Sequence, residues 1–214
     1  MNLQSIGVSW VDFVVLLVLG FGIWRGRKRG MSEECVDIVK WFVTVLAAGL
    51  LYQPLGQLLH ETAGVFGLLG SYITAYLLVL LLVAIVFSYI RRGVGDKLIG
   101  SDVFGSGEYY LGMLSGMGRY TCILIVAFAF LHARYFSPEE LKANEKYQLD
   151  NFGSNFFITL PDLQREVFSR SIAGRCVKEF LGFVLIESTT PGAGAPAINA
   201  KARERSIYDV LDKK

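Results

Sequence analysis

The sequence predicts an all-α membrane protein: four transmembrane helices followed by a C-terminal tail that is first helical and then flexible. Three observations predict it. Of the 214 residues, 53% are hydrophobic and only 19% charged, against about 25% charged in soluble domains. The apolar residues come in blocks long enough to cross a bilayer, which takes about 20 residues. The cations gather between those blocks instead of spreading along the chain. The expected division is a membrane domain over residues 1–135, an extramembrane tail with short and amphipathic helices over 136–187, and a flexible segment over 188–214.

The first helix is expected from Ile6 to Trp24, interrupted by Asp12. The opening "MNLQSIGVSW" has no basic stretch and no small-residue cleavage site after the apolar run, so it reads as a retained helix. The second helix runs from Glu34 to Tyr52 with Asp37 and Lys40 in its first turns. The third, Tyr72 to Ile90, is uncharged, and the fourth, Tyr109 to Leu131, carries one charge, Arg119. Charged residues inside such helices are expected to face protein, not lipid.

Orientation follows from the loops. "WRGRKRGMSEE" supplies Arg25, Arg27, Lys28 and Arg29, while Gln53 to Ser71 holds no Lys or Arg. The third connection holds Arg91, Arg92 and Lys97. Short cytoplasmic loops are enriched in Lys and Arg. Loops one and three are therefore expected inside, with the second loop, the N-terminus and the tail outside. The basic stretch reads as a cytoplasmic membrane stop, compatible with contact to anionic lipid. No aromatic platform or recognition fold accompanies it, so nucleic acid is not an expected partner.

In the tail, "SPEEL" predicts a short helix: Ser137 caps, Pro138 takes the first helical position, and Glu140 completes a capping-box spacing. "LPDLQREVF" predicts another start at Asp162, after Pro161. "SIAGRCVKEFLGFVLIE" places Ile172, Cys176, Phe180, Val184 and Leu185 at helical spacing, with Arg175, Lys178 and Glu179 off that stripe. It reads as an amphipathic helix that packs on the membrane domain or lies in the headgroup plane. "TTPGAGAPA" reads as a flexible linker, and "ARERSIYDVLDKK" as a charged segment disordered on its own.

Several polar residues fall inside the apolar blocks. Glu34, Asp37 and Lys40 are three apart and share a helix face. Arg119 is expected to pair with Asp37 or Glu34, because an unpaired charge at a helix centre costs about 2.5–3.5 kcal/mol. The alternatives are side chains that snorkel to the headgroups, or a proton or ion path. Asp12, beside the interface residue Trp10, is either an interface group or an outward-facing functional carboxylate. Gly112 and Gly116 form a G-x-x-x-G pair suited to close helix packing. The glycine-rich "GVGDKLIGSDVFGSG" lacks the Gly-Lys-Ser/Thr of a phosphate loop and reads as a flexible or re-entrant connection.

Nothing points to catalysis. His60 and His132 belong to no catalytic or metal motif. Cys35, Cys122 and Cys176 are far apart and odd in number, which argues against a disulfide framework or a zinc site. No enzyme activity, metal or cofactor is expected.

The spacing of Trp10 and Asp12, then Arg29, Gly30 and Glu34, then Trp41 resembles the start of the colicin V production protein (CvpA) family: W-x-D, a first helix, R-G-F-x-x-E, then a second helix with a Trp seven residues after the Glu. That family also carries D-R-x-x-G-x-x-x-G-x-x-R-G at its last span. Gly112, Gly116 and Arg119 match, whereas Glu108 and Tyr109 stand at the D-R and Tyr120 at the last Gly. The resemblance covers about residues 8–135, with a looser echo at "SNFFITLP". It implies a multi-pass protein of the bacterial inner membrane, linked to colicin V production or export, a toxin-biosynthesis and secretion role, and to envelope upkeep. The expected function is thus that of a scaffold or accessory factor. Its partners are the lipid bilayer and a second copy or an envelope or secretion protein. The alternative is a small oligomeric transporter or channel whose path the charges on the second helix line. Water access discriminates: a path needs Asp37, Lys40 and Arg119 wet, and a scaffold lets them be paired and dry.

Overall fold

The computed structural model describes residues 9–63, 67–99, 105–153 and 158–189. Three helices in it are long and apolar enough to cross a membrane: α1 (Trp10–Ala63), α2 (Leu68–Ile99) and α3 (Glu108–His132). The sequence predicts four. The difference lies in α1, where the first two expected helices join into one helical run of 54 residues. The basic stretch between them is not a loop. Arg and Lys are good helix formers, and their long side chains reach water without the backbone having to leave the helix. Gln53–Ala63 and Gly93–Ile99, both expected as connections, are helical as well.

The run is broken at one residue. Gly30 has φ 75° and ψ 170°, a conformation that side-chain-bearing residues rarely adopt. The chain reverses there, as its neighbours on α3 demonstrate. Before Gly30 the pairing is antiparallel: Gly22 lies against Gly116 and Tyr120, and Gly26 and Gly30 against Gly112. After Gly30 it is parallel: Glu34 meets Arg119, Ile38 lies against Gly118, and Val45 packs with Cys122 and Ile125. α1 is thus a hairpin of two helical arms with α3 packed along both.

α2 closes the bundle. Its buried Tyr72, Ala75, Tyr76, Val79 and Val83 recur every three or four residues. At the end away from Gly30, Tyr76 packs edge-on against Phe130 with ring centroids 5.2 Å apart, and Tyr52 against Tyr72 at 5.7 Å. At the Gly30 end, α2 brings Arg91 to Asp37.

The tail folds over the end opposite Gly30. α4 (Pro138–Phe152) is capped by the Ser137 hydroxyl, which accepts from the Glu140 N–H at 3.2 Å. At 15 residues it is longer than the short helix expected. α5 (Leu160–Arg165) starts two residues ahead of Asp162. Asp162 instead sits at the third helical position, and its carboxylate accepts from the Thr159 N–H and hydroxyl. A single π turn (Glu166–Arg170) leads to α6 (Ile172–Phe180).

Only the end of the expected stripe, Val184 and Leu185, packs on protein. Ile172, Cys176 and Phe180 are exposed, Ala173 and Val177 pack on the core, and Gly174 is buried. Gly174 decides this, because its lack of a Cβ lets α6 lie directly on the Val167 carbonyl. The helix stops at Phe180, so Val184 and Leu185 follow it in a strap. Val184, Leu185 and Ile186 are buried. Tyr52 Oη donates to the Leu185 carbonyl and accepts from the Glu187 N–H, each at 3.2 Å. His132 Nδ1 lies 2.9 Å from the Ile186 carbonyl, which only accepts, so that nitrogen carries the proton. Thr189 then pairs with Ala133 and Tyr135 at 3.0 and 3.1 Å. Residues 190–214, with most of "TTPGAGAPA" and all of "ARERSIYDVLDKK", lie outside the described residues.

Candidate functional site

Six charged side chains converge beside the Gly30 reversal. Glu34 is 1% exposed, and the Asp37 and Arg119 side chains 8% and 11%. Arg119 Nη1 lies 2.7 and 3.0 Å from the two Glu34 oxygens and 3.2 Å from Asp37 Oδ2. Arg29 reaches Glu34 at 3.4 Å and Asp37 at 3.7 Å. Lys40 and Arg91 reach the other Asp37 oxygen at 3.7 and 3.4 Å. Arg29 belongs to the first arm of α1, Glu34, Asp37 and Lys40 to the second, Arg91 to α2 and Arg119 to α3. One cluster therefore ties together all four helical segments of the bundle.

The physical reason is desolvation. A carboxylate taken out of water is costly unless ion-paired and hydrogen-bonded. Glu34 and Asp37 are three apart, so both face the single arginine of α3. The more exposed cations, Arg29, Lys40 and Arg91, lie around the rim. Arg119 Nε and the hydroxyls of Ser32 and Ser115 are buried without a hydrogen-bond partner among the described residues.

Glycines hold the frame of the site. A Cβ at Gly112 would lie 2.6 Å from the Gly26 carbonyl oxygen and 2.9 Å from Gly30. One at Gly26 or Gly116 would collide with the carbonyl of Gly112 or Gly22. Sequence reasoning singled out Gly112 and Gly116 and missed their partners Gly22 and Gly26. The signal was present: Gly22, Gly26 and Gly30 recur every four residues, the same small-residue spacing that let the α3 pair be noticed. A Cβ at Gly30 would meet Glu108 Oε1 at 2.7 Å. The Arg29–Gly30–Glu34 and Glu108–Gly112–Gly116–Arg119 motifs are therefore two halves of one contact.

The remaining basic residues stay outside the cluster. Arg27, Lys28 and Arg92 are exposed and Arg25 half-buried. Lys28 Nζ sits 4.0 Å over the Trp24 ring. Trp41 is half-buried against Val45 and its neighbours.

Asp12 acts at the opposite end. Its carboxylate accepts from Ser171 Oγ at 2.6 Å and from the backbone N–H groups of Ile172 and Ala173 at 3.2 and 3.1 Å. It also accepts from Ser9 N–H at 3.0 Å, at the start of its own helix. Ser9 Oγ donates to Glu166 at 2.9 Å. Asp12 therefore docks the first turn of α6 onto the start of α1, with Trp10 exposed beside it. Hydrogen bonds to a charged group contribute about 1.5–3 kcal/mol. Asp12→Ala is expected to free α6, so that trypsin cuts at Arg170 and Arg175 several-fold faster while the bundle stays resistant. Unchanged cleavage would sink this assignment.

A family model described as "Colicin V production protein" matches residues 11–148. Neither a search of curated proteins nor a search of solved structures returned a match. The matched residues exceed half of the chain, run on into α4, leave out Trp10, and contain both arms of α1, α2 and α3. The chain belongs to the colicin V production protein family.

Proposed function

We propose that this protein is a multi-pass inner-membrane scaffold or accessory factor for toxin production or export and for envelope maintenance. Both arms of α1 cross the bilayer in this reading, giving four spans, with the basic Gly30 end in the cytoplasm and the tail outside. The family membership supports the link to colicin V production. One observation supports assembly over transport: Glu34, Asp37 and Arg119 are buried and bonded to one another. Their charge holds helices together.

The decisive comparison sets complementation against flux. In a deletion strain the full chain is expected to restore colicin V release and to crosslink to an envelope or export protein in the same cells. In liposomes it is expected to pass ions no faster than protein-free vesicles. Flux above that background, abolished by Asp37→Asn, would overturn the scaffold reading in favour of a channel. Topology has its own test. A reporter active only outside the cytoplasm, fused after Lys214, is expected to be active. A silent reporter, with a cytoplasmic one active in its place, would mean that one arm of α1 does not cross.

A further inference from the structure

A groove of about 620 Å³ opens where the first arm of α1 meets the start of α3. Trp24, Arg27, Lys28, Tyr109, Tyr110 and Met113 line it. Three features mark it as a site and not a surface dent. Its walls are rigidly spaced, because Gly26 and Gly112 lock the two helices in backbone contact beside it. Its rings are strongly exposed, with Trp24 at 53%, Tyr109 at 62% and Tyr110 at 74%; amphipathic rings of this kind settle at the headgroup level of a bilayer. Its cations stand outside the charge cluster. Glu34 and Asp37 bind Arg29, Lys40, Arg91 and Arg119, and among the described residues neither Arg27 nor Lys28 is in an ion pair. Lys28 lies over Trp24 at 4.0 Å, which places its ammonium at the groove. Glu108, which opens α3, is set against the Gly30 turn.

We propose that this groove binds the headgroup of an anionic glycerophospholipid: Arg27 and Lys28 take the phosphate, and Trp24, Tyr109 and Tyr110 flank the glycerol at the interface. Met113 supplies the apolar floor along which the acyl chains leave. The proposal rests on the reading that the Gly30 end meets a bilayer surface. It adds to that reading a lipid held at one defined place.

The test uses the full chain in dodecyl maltoside, titrated with phosphatidylglycerol or phosphatidylcholine, with bound lipid counted by native mass spectrometry. The wild type is expected to prefer phosphatidylglycerol about thirtyfold, the equivalent of ~2 kcal/mol for two interfacial cations. Arg27→Gln with Lys28→Gln should bring the preference close to parity. Arg92→Gln removes an exposed charge from the same end outside the groove, and should leave the preference standing. Equal uptake of both lipids by the wild type overturns the site. So does an Arg92→Gln loss as large as that of Lys28→Gln, which would mean a diffuse field. Displacement of the lipid by millimolar inorganic phosphate also overturns it, since the pocket would then recognise phosphate alone. A lost lipid preference with an active Lys214 fusion would refute this site only. A silent fusion with the preference intact would refute the topology only.

Discussion

Arg119→Ala is expected to be the most damaging single substitution in the membrane domain. It leaves Glu34 buried against Arg29 alone, whose nitrogen is 3.4 Å away and whose side chain is partly exposed. Breaking a buried pair from one side costs about 3–5 kcal/mol. The expected result is a large fall in the midpoint of unfolding in mixed dodecyl maltoside–SDS micelles, with poor accumulation in the membrane. Glu34→Ala should come close to it, because Arg119 then keeps only Asp37 at 3.2 Å. The diagnostic variant is the double replacement Glu34→Gln with Arg119→Met, which removes both charges and keeps the volume. It should be milder than either single change, since no buried charge is left without its partner. A double variant as damaged as the worse single one would mean that the two residues do not act as a pair.

Gly26→Leu is the second. The position has no room: a Cβ there would collide with the Gly112 carbonyl, a backbone atom that cannot rotate away, and would lie 3.0 Å from Gly116 Cα. The first arm and α3 would have to part, dragging the Gly30 reversal and Arg29 out of the charge cluster. Overpacking costs about 1–3 kcal/mol in well-packed cores, and the loss of a close glycine contact in lipid adds to it. The control is built into the same arm. Gly20 is exposed and a Cβ there would meet nothing within 4 Å. Gly20→Leu should therefore unfold at the wild-type midpoint while Gly26→Leu drops well below it. Equal behaviour of the two would refute the backbone contact.

What could be read from the residues alone depended on how local the physics was. A lone arginine in an apolar block demands an acid, so Arg119, Glu34 and Asp37 could be named without coordinates. Their ranking could not, since it is the reach of Arg119 that favours Glu34 at 2.7 Å over Asp37 at 3.2 Å. Nor could the joining of Arg29 and Arg91, which depends on the chain reversing at Gly30. Hydropathy sees the cations there as the end of a span, whereas the backbone continues helical on both sides of one residue with positive φ. Periodicity found the apolar side of α6 but not what covers it: Ile172 and Phe180 are 46% and 73% exposed. Val184 and Leu185 extend the same spacing, yet they are buried by contacts with Gly49 and Tyr52, far away in sequence.

That last contact bears on how the protein comes into being. The strap of Val184, Leu185 and Ile186 fills a notch between the second arm of α1 and α3, and its carbonyls occupy Tyr52 and His132. Chains emerge from the ribosome N-terminus first. The helices of the bundle are thus synthesised well before the residues that finish their packing. Until Ile186 has been made, Gly49 and Tyr52 border an open slot. A bundle that packs before then leaves that slot open to another apolar segment. The tail is the closing piece of the membrane domain, delivered last.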